Sequence, residues 1–127
     1  MKIFNVKDVG KYSDQNPDLT NATIAPGGYV RHKVIVNDKC AVSVACFRKG
    51  QVHHARLHCH PGAAEIYYVV EGESMCLDSE GKKRTLSPGT AVYFDAGEPH
   101  NMYSAPGSDC MYYRIQIGAD RHAESVE

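Results

Sequence analysis

The stretch "RLHCHPGAAEIYYVVEG", Arg56 to Gly72, decides how this chain is read. It sets His58 and His60 two apart, then Pro61-Gly62, then Glu65 at the threshold of the apolar run Ile66–Val70. In a strand, residues two apart share a face and sit about 6.5–7 Å apart along the chain. His58 and His60 therefore point one way and Cys59 the other. Pro presets φ at the first central position of a tight turn, and Gly accepts a positive φ at the second. With Pro61-Gly62 as a two-residue hairpin loop, position 60 faces 63 and position 58 faces 65. Directly opposed residues share a face, their Cβ atoms roughly 4.5–5.5 Å apart, so Glu65 joins the two histidines on one surface. A longer loop shifts that register. Two imidazoles and a carboxylate suit divalent iron, manganese, nickel or zinc and can leave coordination positions open. The rival reading is a hairpin with a solvent-facing polar side. It is weakened by "IYYVV", which reads as buried strand directly after the glutamate.

Outward from this stretch, the chain is a series of short β-branched or aromatic runs punctuated by Gly, Pro, Asn and Asp. Strands are expected at "YVRHKVIV" (29–36), "AVSVACF" (41–47), "VHHARLHCH" (52–60), "EIYYVVE" (65–71) and "SMCLD" (74–78). More follow at "KRTL" (83–86), "AVYFD" (91–95), "HNMYS" (100–104) and "CMYYRIQIG" (110–118). Turn chemistry separates them at Asn37-Asp38, Lys49-Gly50, Gly72, Gly81, Pro88-Gly89, Gly97 with Pro99, and Pro106-Gly107. So many short strands in one small all-β domain imply a sandwich or barrel. Residues 1–38 form a less regular N-terminal arm, 39–118 the barrel, and 119–127 a polar tail expected to fray. In 110–118 the apolar set Met111, Tyr113, Ile115 and Ile117 should face the core, which turns Arg114 and Gln116 outward or into a second layer.

Composition narrows the function classes. The 127 residues suit one domain, and 43% hydrophobic with 23% charged residues is ordinary for a globular protein. A net charge of -1 gives no electrostatic footprint for nucleic acid or an anionic membrane. No run approaches the length of a membrane span, and "MKIFNVKDVGKYSDQNPDL" lacks the continuous apolar segment of a secretory signal. The five cysteines are odd in number and without C-x-x-C pairing, which points to buried reduced thiols and a cytoplasmic location. No nucleophile elbow, P-loop or dinucleotide fingerprint appears.

At this point the chain resembles the cupins. Their first motif ends in H-x-H, three or four residues, E, six residues, G; here these are His58, His60, Glu65 and Gly72. Their second motif runs G, five residues, P, one residue, G, two residues, H, three residues, N. Gly89, Asp95, Gly97, His100 and Ser104 stand at those places, with Asp95 for the proline and Ser104 for the asparagine. The opening glycine of the first motif is also displaced, to Gly50. The resemblance covers roughly 40–118 and implies a double-stranded β-helix, the jelly-roll barrel of a small single-domain metal-binding cupin. It also implies that His58, His60, Glu65 and His100 bind one divalent metal ion inside that barrel. His100 cannot be placed by spacing from Glu65; sequence shows only that it follows a Gly-x-Pro turn and opens a strand.

Alternation then nominates neighbours. Arg56 and His54 fall on the His58 face, Tyr67 and Val69 on the Glu65 face. Arg56 could clamp a carboxylate or phosphate, or be a solvated head on the rim. Tyr67 could donate a hydrogen bond or proton near the metal, or be a core aromatic. Of His53 and His54 at most one can enter the pocket. From His100 the same alternation directs Met102 and Ser104 inward as substrate-facing or lining residues. The family includes dioxygenases, decarboxylases, lyases and sugar isomerases and epimerases, so the expectation is a metal-dependent enzyme acting on a small polar molecule, with Tyr67 as catalytic residue. The alternative is a non-catalytic metal-containing module that binds or senses a sugar or carboxylate. A homodimer is implied too, with the arm at 1–36 exchanging or covering a sheet edge.

Overall fold

The structure, a computed structural model, describes residues 12, 22–25, 28–51, 53, 56–104 and 107–126. Nearly every β-branched or aromatic run forms a strand. In chain order these are β1 Ala22–Ile24, β2 Val30–Val36, β3 Cys40–Phe47, β4 His58–Cys59, β5 Ala64–Glu71, β6 Ser74–Leu77, β7 Lys83–Leu86, β8 Ala91–Phe94, β9 Asn101–Ser104, β10 Cys110–Ile117 and β11 Glu124–Ser125. No helix occurs among the described residues, so none is long and apolar enough to cross a membrane. The strands build a six-stranded sheet in the order β1-β2-β3-β10-β5-β8, a three-stranded sheet β7-β6-β9 and the ribbon β11-β4. All pairings are antiparallel, and the architecture is the double-stranded β-helix.

Alternation along the large sheet sorts side chains into two packed layers. The inner face, together with the small sheet, buries Tyr29, Ala45, Phe47, Tyr67, Val69, Cys76, Phe94 and Met102. The outer face of β2, β3 and β10 carries a second cluster of Val34, Val44, Cys46 and Met111, with Tyr12, Val42, Val70 and Tyr113 packed against it. All five cysteines are free thiols, and four of them, Cys46, Cys59, Cys76 and Cys110, are buried.

Four expectations need correction. The Pro61-Gly62 turn forms, Ala63 N donating to the His60 carbonyl at 3.2 Å, but the segments on either side are not paired as a hairpin. β4 pairs with β11, while β5 lies between β10 and β8. Gly62 is also absent from the positive-φ glycines. It must be glycine because a Cβ there would lie 2.6 Å from the Asp120 carbonyl oxygen. Second, the tail does not fray: Glu124 and Ser125 pair with Cys59 and His58, since an open edge of β4 offers them backbone partners. Third, 52–60 is not one strand; only His58–Cys59 is extended and paired, and Val52, His54 and Ala55 lie outside the described residues. Fourth, of the apolar set of β10, Met111 and Tyr113 pack in the outer cluster and Ile117 is exposed, while Arg114 and Gln116 face inward. The register explains this, because Gln116 stands opposite Glu65 and Arg114 opposite Tyr67. Of the arm at 1–38, the described parts β1 and β2 are strands at one edge of the large sheet.

Candidate metal centre

Two segments bring the histidines together. His58 lies in β4, and His60 ends the same segment at the Pro61 turn. His100 reaches them through backbone pairing: His58 N donates to His100 O at 3.1 Å, and His100 N donates to His58 O at 2.8 Å. One ring nitrogen from each of His58, His60 and His100 lies within 4.8 Å of the other two. Glu65, on the inner face of β5, is 1% exposed and puts Oε1 2.5 Å from His60 Nε2 and 3.4 Å from His100 Nε2.

The decisive feature is which nitrogen of each ring is already engaged. His58 Nδ1 lies 2.8 Å from the Arg56 carbonyl and His100 Nδ1 2.8 Å from the Glu98 carbonyl. His60 Nδ1 lies 3.1 Å from the Arg121 carbonyl and 3.2 Å from that of His122. A carbonyl oxygen only accepts, so in each neutral ring the proton sits on Nδ1 and Nε2 presents a lone pair. The Nε2 atoms of His60 and His100 are buried and donate no hydrogen bond. Lone pairs and a carboxylate oxygen turned toward one another, away from water, leave a place for a cation. The donor set fits a divalent metal, with Nδ1–H bonds to carbonyls fixing the rings as they do around metal ligands.

Electrostatics keep Glu65 ionised. Burial alone pushes its carboxyl pKa up, but hydrogen bonds from His100 and His60 when their Nε2 atoms carry a proton, the Arg114 charge and the Tyr67 hydroxyl outweigh that and hold it well below the usual carboxylate range; with Nε2 unprotonated, a cation would take the place of those protons. Gln116 Nε2 donates to Glu65 Oε1 at 3.2 Å, and Arg114 Nε approaches Oε2 at 3.5 Å. Burial holds the His58 pKa down, which favours the neutral ring a metal requires. Tyr67 is buried, and its pKa is driven up first by desolvation and also by Glu65, so its hydroxyl keeps its proton.

Beside these residues lies a cavity of about 420 Å³, lined by His58, His60, Tyr67 and Met102 and, beyond them, by Tyr29, Tyr112, Arg31 and Arg114. Arg56 lines it from an exposed position. Ser104 does not line it: its hydroxyl donates to the Gln51 carbonyl, which removes it from the substrate-facing set. His53 also enters the cavity, and its ring holds the Met102 carbonyl at 2.9 Å; His54 lies outside the described residues. Sequence reasoning missed Arg31, Arg114 and Gln116. The last two were findable from Glu65: a buried carboxylate needs donors on the neighbouring strand.

A profile of the cupin domain matches residues 43–115. The chain is a cupin. The oxalate-binding protein of Thermotoga maritima is 33% identical to it over 61 residues, 48% of this chain and 50% of that protein, so the cupin spans about half the length of this curated relative. Among solved structures, the polyketide cyclase RemF from Streptomyces resistomycificus aligns with a TM-score of 0.69 at 23% identity, over 84% of this chain and 80% of that one. KdgF from a Halomonas species aligns at 0.63 with 27% identity, over 79% and 86%. A double-stranded β-helix protein from Klebsiella pneumoniae reaches 0.72 at 19% identity over 100% and 98%. The likenesses at 23% and 19% establish the fold alone.

Proposed function

We propose that this cupin is a metal-dependent enzyme acting on a small polar molecule, with one divalent ion (iron, manganese, nickel or zinc) held by His58, His60, Glu65 and His100. The observation that carries this reading is the fixed Nδ1–H tautomer of three rings whose free nitrogens gather around one ionised, buried carboxylate. Three imidazoles and a carboxylate leave about two positions of an octahedral centre for substrate. A bound ion supplies Lewis acidity toward a carbonyl or enolate oxygen, or a place where oxygen or water is activated. That chemistry covers reactions of the dioxygenase, decarboxylase, lyase and sugar isomerase or epimerase types.

The chain's own residues do the rest. The Arg56, Glu98, Arg121 and His122 carbonyls aim the rings, and Gln116 and Arg114 orient Glu65. Tyr67, its proton retained at Oη by burial, is placed to act as a donor toward a substrate oxygen rather than as a base. Met102 keeps water from the inner wall, and Arg56 stands on the exposed side, where a substrate anion would arrive. A homodimer accords with the exposed Tyr68, Tyr93 and Ile117. A second reading, a non-catalytic binding cupin using the same metal, is favoured by the partial relative named for oxalate binding.

The test is metal analysis of the purified protein beside a His58→Ala/His60→Ala variant. Near-stoichiometric metal in the first and none in the second is expected, and metal retained by the variant overturns the site. Turnover assays on keto acids, sugars and thiols then separate enzyme from binder. Tyr67→Phe should abolish turnover with metal content unchanged. Full activity in Tyr67→Phe dismisses its catalytic role, and loss of metal reassigns it to holding Glu65.

A further inference from the structure

The chain carries 14 Lys and Arg against 15 Asp and Glu, yet the walls of its two hollows do not share that balance. Next to the main cavity lies a second hollow of about 140 Å³, lined by Arg31, Lys33, Ser43, Arg114, Gln116 and Arg121 among others. Arg31, Ser43 and Arg114 also line the main cavity, so the two hollows share a wall. Among the described residues, neither lining contains an aspartate or a glutamate. Glu65, the nearby carboxylate, faces the histidines and meets only Arg114 of these cations. Among the described residues, Arg31, Lys33 and Arg121 make no ion pair with a carboxylate.

The positions are built rather than incidental. Lys33 faces Ser43 across β2 and β3, Ser43 faces Arg114 across β3 and β10, and Arg114 faces Tyr67 across β10 and β5. One transverse row therefore runs from the small hollow to the residues around Glu65. Arg31 donates to the Tyr29 hydroxyl at 2.6 Å, and its cross-strand partner is the small Ala45. Arg121 is held in place by the Asn37 carbonyl at 2.9 Å and the Gly118 carbonyl at 2.7 Å. Like charges gathered in a concave wall repel one another and focus a positive potential, a cost that a bound anion relieves. Planar guanidinium forks match the paired oxygens of a carboxylate or phosphate.

We propose that this second hollow is an oxyanion site, which takes the carboxylate or phosphate terminus of a ligand whose other end reaches the metal centre. The link to the metal rests on the function proposed above; the anion site itself does not. It restricts the substrate class to acids long enough to bridge Arg31 and the histidine cluster.

The experiment is calorimetric titration at low ionic strength with succinate, inorganic phosphate and the neutral control succinamide. It uses metal-loaded and metal-stripped protein of the wild type, Arg31→Gln and Lys33→Gln. Succinate or phosphate should bind both forms of the wild type, and succinamide neither. Arg31→Gln should weaken that binding about 10–100-fold, and the exposed Lys33→Gln about 2–5-fold, with metal content unchanged in both. A preference for phosphate marks the natural ligand as phosphorylated; a preference for succinate marks it as a carboxylic acid. Anion binding that disappears with the metal and ignores both substitutions overturns the proposal while leaving the metal centre intact, as does absence of anion binding altogether. Anion binding that depends on Arg31 in a protein unable to take up metal removes the metal reading and keeps this one. Should Arg31→Gln fail to fold, Lys33→Gln carries the same test.

Discussion

The two faces of β10 differ in a way that explains the whole molecule. Its outward side chains are the apolar ones, and they are unevenly covered: Met111 is 0% exposed in the outer cluster, whereas Ile117 at the far end is 50% exposed. Its inward side chains include the half-buried Arg114 and the buried Gln116, both beside Glu65. Polar groups go inside only where each finds a partner. Here a carboxylate supplies the partner, and the carboxylate is there because three imidazoles surround the same point. One side of the strand holds the sheet together, and the other holds a site.

That division can be broken from either side. The largest expected effect is on the outer face: Met111→Ala leaves a void among Val34, Val44 and Cys46 and should cost about 2–5 kcal/mol in urea denaturation. Metal content per folded molecule should not change. Gln116→Leu is the converse substitution. It makes the strand more apolar, keeps the volume similar and removes only the donor to Glu65 Oε1. Metal affinity should fall about 10–100-fold, the usual consequence of losing an outer partner of a ligand, with a much smaller change in the stability of the metal-free protein. If Met111→Ala loses metal, or Gln116→Leu unfolds while binding metal normally, the two faces do not divide the work this way.

The same contrast shows what the sequence could and could not disclose. Runs such as 41–47 and 65–71 are long enough for β-propensity and flanking turns to mark them, and they are strands. Ala22–Ile24 and Glu124–Ser125 are too short to show a period; their partners β2 and β4 make them strands. The H-x-H and the glutamate were legible as a donor set, but by way of a hairpin that does not form. The histidines and Glu65 meet across separate sheets, and His100 arrives through a β-bridge to His58 that no local pattern encodes. Hydrophobicity misread β10 because it assumes that the inner face of a barrel is apolar, and a metal-type site inverts that assumption. Gly72 shows the opposite case. A Cβ there would meet the Asp109 carbonyl oxygen, so the motif's glycine records a backbone contact rather than chemistry.

Histidines inside and outside the barrel should respond to acid with opposite signs, and this is the smallest of the expected effects. Burial lowers the pKa of His53 to about 4, against the Met102 carbonyl that opposes the shift and with Arg31, His58 and Arg114 reinforcing it. Between the ordinary value of about 6.5 and that figure, the unfolded chain takes up a proton that the folded chain refuses. Stability is therefore lost as pH falls from about 6.5 toward 4, by roughly 1–2 kcal/mol after allowance for partial solvent access. His122, 51% exposed, is pushed upward instead, first by its hydrogen bond to Asp120 and then by Glu124. Its contribution is present below about 6.5 and fades as pH rises through its folded value. Urea denaturation of metal-stripped protein at pH 4.5 and 7 should show a shallower acid loss for His53→Gln than for wild type, and a steeper one for His122→Gln. Equal slopes for wild type and His53→Gln would mean that the ring at 53 is solvated, and that the inner face admits water where the packing of Tyr29 and Met102 argues it does not.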